Sequence, residues 1–175
     1  LSMEEKERVF RHVKSFVAGQ VPLIVGSGTN STSDSISATK SAAVWGADAA
    51  LVVVPYYNKP PQRGLFAHFE AIAKNSSIPI ILYNVPGRTV AALAVETISQ
   101  LAALPGIIGI KEASGDLKFY EAIKRVCPET FLVLSGDDVS GPELCMLGGD
   151  GAISVLSHLI PLELGRIYAD ARAKR

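Results

Sequence analysis

Apolar residues along the chain follow two alternating patterns, which predict strands separated by helices. Short apolar runs bounded by glycine, proline or polar residues are typical of strands buried on both faces of a parallel sheet. Between the runs, apolar residues recur at three- and four-residue spacing, as they do on the buried face of a helix. The runs predict six strands, one starting at residue 107 and the others over residues 22–26, 50–54, 79–83, 131–134 and 151–155.

The predicted helices alternate with these strands. The first covers residues 1–18 and starts with a capping box, since Ser2 is followed three residues later by Glu5. Its apolar stripe is expected to face the core and consists of Val9, Phe10, Val13, Phe16 and Val17. The remaining helices are predicted over residues 33–45, around 65–72, around 95–104, over 117–126, up to 147, and over 161–173.

Strands that alternate with helices form parallel sheets of βαβ units. The strands start near residues 22, 50, 79, 107, 131 and 151, and these steps of 20 to 29 residues favour a barrel over an open, doubly wound sheet. We therefore predict an α/β fold of the (β/α)8 TIM-barrel type in a single domain over residues 1–175. The barrel is incomplete, with a leading helix and six βα units. Each of its outer strands, near residues 23–25 and 153–155, is expected to leave one edge unpaired.

Composition and charge exclude several classes of function. With 48% hydrophobic and 19% charged residues, the chain is globular rather than disordered. A formal net charge of zero, without a basic stripe, argues against nucleic acid as a partner. No apolar run is long enough for a membrane span, and we expect no signal peptide. With only two cysteines, we expect no disulfide framework. We expect a cytoplasmic protein.

A lysine ends the fourth apolar run. Period-two alternation places Lys111 on the same face of the strand as Gly109 and Ile107, with Glu112 on the opposite face. Burial at the end of a strand lowers the pKa of an ammonium group, and a neutral amine can attack a carbonyl carbon to form an imine. The alternative is a structural lysine paired with a carboxylate such as Glu112. The local pattern alone favours that alternative.

Polar side chains at neighbouring strand ends change this balance. In barrels, the loops that follow the strands surround the site of chemistry. Tyr83 could transfer protons and Arg88 could hold a carboxylate, which together with Lys111 would suit imine chemistry on an oxo acid. Taken singly, Tyr83 fits a core aromatic and Arg88 a surface ion pair. No metal site is predicted, and Asp137 and Asp138 are expected to stabilise a turn before a helix.

Five motifs, in order, resemble those of the dihydrodipicolinate synthase family, which belongs with N-acetylneuraminate lyase to the pyruvate-dependent class I aldolases. They are Pro-Tyr-Tyr-Asn-Lys-Pro at 55–60, Tyr-Asn-Val-Pro-Gly-Arg-Thr at 83–89, Gly-Ile-Lys-Glu-Ala-Ser-Gly-Asp at 109–116, Leu-Ser-Gly-Asp-Asp at 134–138 and Gly-Ala-Ile-Ser-Val at 151–155. The similarity covers essentially the whole chain. The arginine and threonine of the second motif favour a synthase. A lyase acting on a sialic or sugar acid, or a non-catalytic fragment, is the alternative.

The resemblance implies a homotetramer, built as a dimer of dimers, that condenses pyruvate with aspartate 4-semialdehyde in lysine biosynthesis. Lys111 would form the Schiff base with pyruvate, Tyr83 would transfer protons, and Arg88 would bind the carboxylate of the semialdehyde. No cofactor would be needed, because the imine itself serves as the electron sink.

Further positions take their roles from the same resemblance. Tyr57 would reach across a dimer interface to complete the proton relay of a neighbour. The backbone of Gly136 and of Ile153 would lie beside the bound substrate, and Gly109 would leave space beside the imine. In the family, a Thr-Thr-Gly-Glu motif supplies a threonine to the relay. This motif and the first two strands of the barrel would precede Leu1.

The resemblance also implies a regulatory site for lysine. Asn30, Asp34 and Tyr56 match its positions, and Asp34 replaces the longer glutamate of lysine-sensitive members. Feedback inhibition is left open by this change. With two unpaired outer strands, the 175-residue chain is expected to be poorly soluble and at most weakly active; near-normal turnover by a monodisperse sample would contradict this.

Overall fold

The computed structural model of the chain describes residues 1–174, in which one parallel sheet contains six strands paired in chain order. The strands are β1 (Ile24–Gly26), β2 (Ala49–Val53), β3 (Ile80–Asn84), β4 (Ile107–Glu112), β5 (Leu132–Ser135) and β6 (Gly151–Ala152). The helices are α1 (Met3–Val17), α2 (Thr32–Trp45), α3 (Gln62–Lys74), α4 (Pro86–Thr89), α5 (Val95–Ala102), α6 (Leu117–Val126), α7 (Gly141–Met146) and α8 (Pro161–Arg172). None of the described helices has both the length and the apolar character required to cross a membrane.

Sequential pairing determines where the helices lie. Crossovers between parallel strands are right-handed, so connecting helices stay on one face of a sheet whose strand order never reverses. The burial of neighbouring residues agrees with this arrangement. Val52, Leu82 and Val133 are fully buried beneath the helices, whereas Val53 and Tyr83 are only half-buried on the other face. The predicted α/β barrel type with six βα units is confirmed.

The main hydrophobic core lies between the sheet and its helices. Its fully buried members come from strands and helices alike, because every strand sends alternate side chains towards the helix layer. They include Val52, Leu82, Ile110, Val133, Leu65, Phe69, Ile98 and Ile123. The opposite, open face of the sheet bears the half-buried residues and the polar side chains at the strand ends.

The two outer strands have one neighbour each, as predicted. β1 pairs with β2 alone and β6 with β5 alone within residues 1–174. The strand predicted over 151–155 is shorter than expected. The amide of Ile153 still donates to Ser135 O at 2.8 Å, but the chain then turns, because Ser154 Oγ accepts from Ser157 N and Asp138 Oδ2 accepts from Leu156 N.

The apolar stripe predicted for α1 is largely exposed. Only Phe10 of its members is buried, and it packs on Trp45 of α2 with ring centroids 6.1 Å apart. Phe16 is 83% exposed, because the described residues place no element over that side of the helix. The capping box is confirmed, since Ser2 N donates to Glu5 Oε2 and Glu5 N donates to Ser2 Oγ.

A β-bulge in β4 corrects the predicted face of Ile107. Ile80 pairs with Ile107, but the next residue, Ile81, pairs with Gly109, so Ile108 has no partner in the register. One extra residue reverses the alternation of side chains before it. Ile107 therefore packs in the core beneath the helices, whereas Gly109 lies opposite Ile81 on the open face.

Candidate active site

The ends of β3 and β4 bring a tyrosine and a lysine together. Tyr83 lies directly opposite Lys111 in the parallel register. Lys111 Nζ lies 4.4 Å from the centroid of the Tyr83 ring, which is within range of a cation–π contact. The two residues that sequence reasoning named as nucleophile and proton carrier are therefore neighbours on the open face.

Lys111 is 8% exposed and forms no ion pair with any described residue. Burial lowers the pKa of its ammonium group, and the negative charge of Asp138 partly opposes this effect. The alternative pairing with Glu112 is wrong. The Glu112 carboxylate lies on the helix side, where it accepts hydrogen bonds from Asn84 Nδ2 at 2.6 Å and from Ser114 N at 2.5 Å.

Two glycines shape the space around the lysine. A Cβ at Gly136 would lie 2.7 Å from Lys111 Cε and 2.7 Å from Ala113 Cβ, so the lysine stem occupies the place of a side chain there. The expected space at Gly109 is filled by another residue. A Cβ at Gly109 would lie 2.7 Å from both Cβ and O of Leu132 on β5. Gly136, rather than Gly109, provides room beside Lys111.

Arg88 and Tyr56 line a hollow on the open face next to Tyr83. The hollow has a volume of about 390 Å³, and Gly26 of β1 and Leu51 and Val53 of β2 also line it. Arg88 lies on the one-turn helix α4, which follows β3 directly, and it has no ion pair within residues 1–174. The surface ion pair considered for Arg88 is therefore not formed with a described residue.

The loop after β5 carries the two aspartates. Asp137 has the predicted role of stabilising the turn before α7, whereas Asp138 accepts from amides of the segment that follows β6. Asp137 Oδ2 accepts from the amide and hydroxyl of Ser140, at the start of α7. These bonds lower the pKa of Asp137. A hydrogen bond with Ser154, together with the amides of Val155 and Leu156, lowers the pKa of Asp138. Asp138 also carries the negative charge that acts on Lys111, a contribution that the sequence pattern did not reveal.

Tyr57 is 87% exposed, and no hydrogen bond or ring contact joins its side chain to Lys111 or Tyr83 within residues 1–174. Its backbone has a φ of 73°, in the left-handed region that non-glycine residues adopt rarely. The structure therefore does not bring Tyr57 to Tyr83 within one chain. Its predicted role across an interface stays a prediction, as does the substrate contact of Ile153.

Of the three residues of the predicted regulatory site, Asn30 and Tyr56 lie on two loops and Asp34 lies on α2. The loops are joined by one hydrogen bond, in which Asn58 Nδ2 donates to Asn30 O at 3.1 Å. Asp34 is exposed in the first turn of α2 and faces a hollow between α1 and α2. Tyr56 lines the separate hollow beside Tyr83. Binding of lysine by this set stays a prediction.

No group of side chains within residues 1–174 has the composition and proximity of a metal site. His12 and His158 are exposed, and His68 is buried in α3 with Nδ1 bonded to Thr32 Oγ1 at 2.9 Å. Burial lowers the pKa of His68 to about 4. The set provides no ligand cluster.

Sequence reasoning placed Asn84 at a strand end without giving it a role, and it missed Tyr120. Both residues bond to Glu112 at the same strand ends. Asn84 follows Tyr83 and donates to Glu112, while Tyr120 OH donates to Glu112 O. The sequence contains a usable signal for this pair. Asn84 and Glu112 directly follow the strand residues Tyr83 and Lys111, and alternation places both on the opposite face of the sheet.

Chain-order pairing and a buried lysine at a strand end are typical of barrel proteins whose chemistry lies at the carboxyl ends of the strands. The model of the dihydrodipicolinate synthetase family matches residues 1–174. The chain belongs to this family.

Similar proteins extend beyond the length of this chain. The 4-hydroxy-tetrahydrodipicolinate synthase of Stutzerimonas stutzeri is 49% identical over 174 residues, covering 99% of this chain and 59% of the relative. That of Bacillus subtilis is 51% identical over 160 residues, covering 91% and 55%. The chain thus spans little more than half the length of these relatives.

Two solved structures are closely similar. A chloride-inhibited dihydrodipicolinate synthase from Acinetobacter baumannii, complexed with pyruvate, has a TM-score of 0.97 and 45% identity, covering 99% of this chain and 60% of that one. A dihydrodipicolinate synthase from Cyanidioschyzon merolae with lysine bound has a TM-score of 0.93 and 46% identity, covering 97% and 58%.

Proposed function

We propose that the chain carries the lysine-centred part of a 4-hydroxy-tetrahydrodipicolinate synthase, which condenses pyruvate with aspartate 4-semialdehyde. The observation that carries the proposal is the buried Lys111 amine beside Tyr83, without an ion pair to a described residue. The similarity to synthases in sequence, and to a structure described as complexed with pyruvate, supports this substrate.

The proposed reaction begins with attack of the neutral Lys111 amine on the ketone carbon of pyruvate. Water leaves and an imine forms, and loss of a proton from the pyruvate methyl group gives an enamine. The enamine carbon then attacks the aldehyde carbon of the semialdehyde. Finally, the amino group of the semialdehyde attacks the imine carbon and closes the ring, which releases the Lys111 amine.

Two side chains assist these steps. Tyr83, whose ring lies against Lys111 Nζ, transfers protons to and from the reacting oxygen and carbon atoms. Arg88 lines the hollow next to Tyr83 and binds the carboxylate of the incoming semialdehyde. The imine accepts the electron pair, so the steps require no metal ion or prosthetic group.

A second copy of the chain is proposed to supply Tyr57, in a homo-oligomer acting in the cytoplasm. The exposure of Tyr57 and its left-handed backbone suit a side chain presented to a neighbour. Mixing Tyr57→Phe with Lys111→Ala, each impaired alone, tests this. Recovery of turnover in the refolded mixture is expected, whereas a mixture as inactive as its components contradicts the exchange.

Lysine is the candidate effector for Asn30, Asp34 and Tyr56, because a relative was solved with lysine bound. Calorimetric titration of lysine into the chain tests this directly. Heat of binding that disappears in Asp34→Ala supports the site, and equal heat in both samples contradicts it.

The proposed chemistry is tested by trapping. The chain is mixed with pyruvate and borohydride, and its intact mass and labelled peptide are measured. We expect one reduced pyruvate adduct on Lys111 and none in Lys111→Ala, with Lys118→Ala as an exposed-lysine control that labels normally. No adduct on the unchanged chain, or an adduct that persists in Lys111→Ala, contradicts the assignment.

A further inference from the structure

The helix side of β3 and β4 carries a buried polar pair directly behind the candidate nucleophile. Asn84 is 1% exposed and Glu112 is fully buried. Asn84 Nδ2 donates to Glu112 Oε2 at 2.6 Å, and the two residues lie opposite each other in the register. They are the immediate successors of Tyr83 and Lys111 in the chain.

The pair is connected to the loops that surround the lysine. Leu93 N donates to Asn84 Oδ1 at 3.0 Å, and Ser114 N donates to Glu112 Oε1 at 2.5 Å. The backbone oxygen of Glu112 accepts from Gly136 N at 2.6 Å. Glu112 thus fixes the end of β4, and its backbone holds the glycine against which the Lys111 stem packs.

The pair also fixes a register that the bulge has shifted. Counted without the bulge from the Ile80–Ile107 pair, Tyr83 would lie opposite Ile110, and Lys111 would lie opposite Asn84. The unpaired Ile108 moves β4 by one residue, so that Lys111 comes to lie beside Tyr83. The bond from Asn84 to Glu112 is the side-chain link between the two strands at the shifted end.

Joining two strands through buried polar side chains costs desolvation free energy. A buried carboxylate loses its hydration, and an apolar pair of similar size is often at least as stable. Buried polar groups are best attested as devices that fix register. A buried polar link here has an evident use if small displacements of the neighbouring lysine matter.

We propose that Glu112, bonded to Asn84, is a positioning residue that holds Lys111 in register with Tyr83 for attack on the ketone. It acts through Lys111 and does not touch the substrate. The inference rests on the proposed imine chemistry, and it assigns a role to a residue on the opposite face of the sheet.

The first test is Glu112→Gln, which keeps the size of the side chain. The new amide group has only one oxygen, so it cannot accept from both Asn84 Nδ2 and Ser114 N as Glu112 does. Glu112→Gln therefore loses either the β3–β4 link or the bond to the loop after β4, unless Asn84 turns over and loses its bond to Leu93 N. Labelling by pyruvate and borohydride at saturating pyruvate should slow by about 10- to 100-fold, the range that misplacement by about 1 Å produces. The half-saturating pyruvate concentration should stay nearly unchanged, because Glu112 makes no contact with the substrate.

Exchange of the pair gives a rescue. In the double variant Asn84→Asp, Glu112→Gln, the new amide on β4 can donate to the new carboxylate on β3, which can still accept from Leu93 N. Net charge, size and hydrogen bonds are all retained. We expect the double variant to recover most of the labelling rate, which a loss of packing alone would not allow.

Thr97→Val is the matched control, because it removes one buried hydroxyl, bonded to Gln62, without touching a strand end. It should label at the unchanged rate. If Glu112→Gln does not fold, Asn84→Ser breaks the same link from β3 and should show the same slow labelling. Unchanged labelling of the single variants, or a double variant no faster than Glu112→Gln, overturns the inference. Absence of an adduct on the unchanged chain instead overturns the proposed function, and this inference with it.

Discussion

The two faces of the sheet at the ends of β3 and β4 differ in how many partners they give to an ionisable side chain. On the open face, Lys111 Nζ lies over the Tyr83 ring and has no carboxylate partner within residues 1–174. On the helix side, both oxygens of the Glu112 carboxylate accept hydrogen bonds, one of them from Asn84. Lys111 and Glu112 are consecutive residues, yet the amine of Lys111 has no ion pair with a described residue while both carboxyl oxygens of Glu112 accept hydrogen bonds.

The difference follows from the surroundings of each face. The helix layer excludes water, so a charge there requires hydrogen-bonding partners from the protein. The open face adjoins the hollow lined by Tyr83 and Arg88, where a bound molecule rather than the protein could provide such partners. An ion pair between Lys111 and a carboxylate would stabilise the ammonium form and remove the proposed nucleophile.

Closing the space on the open face should have the largest effect. Gly136→Ala places a methyl group 2.7 Å from Lys111 Cε and from Ala113 Cβ, which forces the lysine stem to move. Labelling by pyruvate and borohydride, followed by mass spectrometry, is expected to fall by at least about 100-fold. Gly165→Ala, with no atom within 4 Å of the new methyl group, is the control and should label normally. Equal labelling of both variants would show that Lys111 does not depend on this space.

Burial of His68 in the helix layer should make the stability of the protein depend on pH. Its pKa of about 4 lies below the ordinary 6.5, so the unfolded chain binds a proton first as the pH falls. The free energy of unfolding should therefore decrease between pH 6.5 and 4, by about 3 kcal/mol. Denaturant unfolding at several pH values measures this. His68→Gln should lose that part of the dependence and the exposed His12→Gln should keep it; identical profiles would contradict the assignment.

Gly109→Ala tests the packing of the open face away from the lysine. The added methyl group meets Cβ and O of Leu132 at 2.7 Å, and the backbone oxygen cannot swing aside. Overpacking of this kind should lower the free energy of unfolding by about 2 kcal/mol. Denaturant titration against Gly165→Ala checks the value. A stability loss no larger than in that control would mean that β4 and β5 separate easily.

Removal of one hydrogen bond from the helix side should have the smallest effect. Tyr120→Phe deletes the hydroxyl that donates to Glu112 O, but that oxygen still accepts from Gly136 N. We expect a loss of about 1 kcal/mol in the free energy of unfolding, since no buried acceptor is left unpaired. A much larger loss in denaturant titration would show that Tyr120 carries the polar network.

Most of the fold could be predicted because its signals are local. Periodicity gave all six strands and seven of the eight helices, and the capping box at Ser2 marked the start of α1 correctly. The bulge at Ile108 has no sequence signal, because it arises from the pairing of two strands. The exposure of the α1 stripe escaped prediction for a related reason, since periodicity identifies an apolar face and not its partner.

The candidate site shows the same division. Lys111, Tyr83 and Arg88 were predictable, because each is a polar residue at or just after a strand end, where the barrel type places its chemistry. The spatial relation of Gly136 to Lys111, and the bond that joins Asn84 to Glu112, depend on contacts between strands. Such contacts are set by register, which only the folded sheet defines.

The central claim, that Lys111 is a buried amine without an ion pair to any described residue, is tested most directly by its own titration. Reductive ¹³C-methylation and NMR give the titration midpoint of each lysine, and the signal absent from Lys111→Ala is assigned to Lys111. Burial predicts a midpoint below the ordinary pKa of 10.5. A midpoint at or above 10.5 would show that Lys111 has a stabilising partner and would contradict the account.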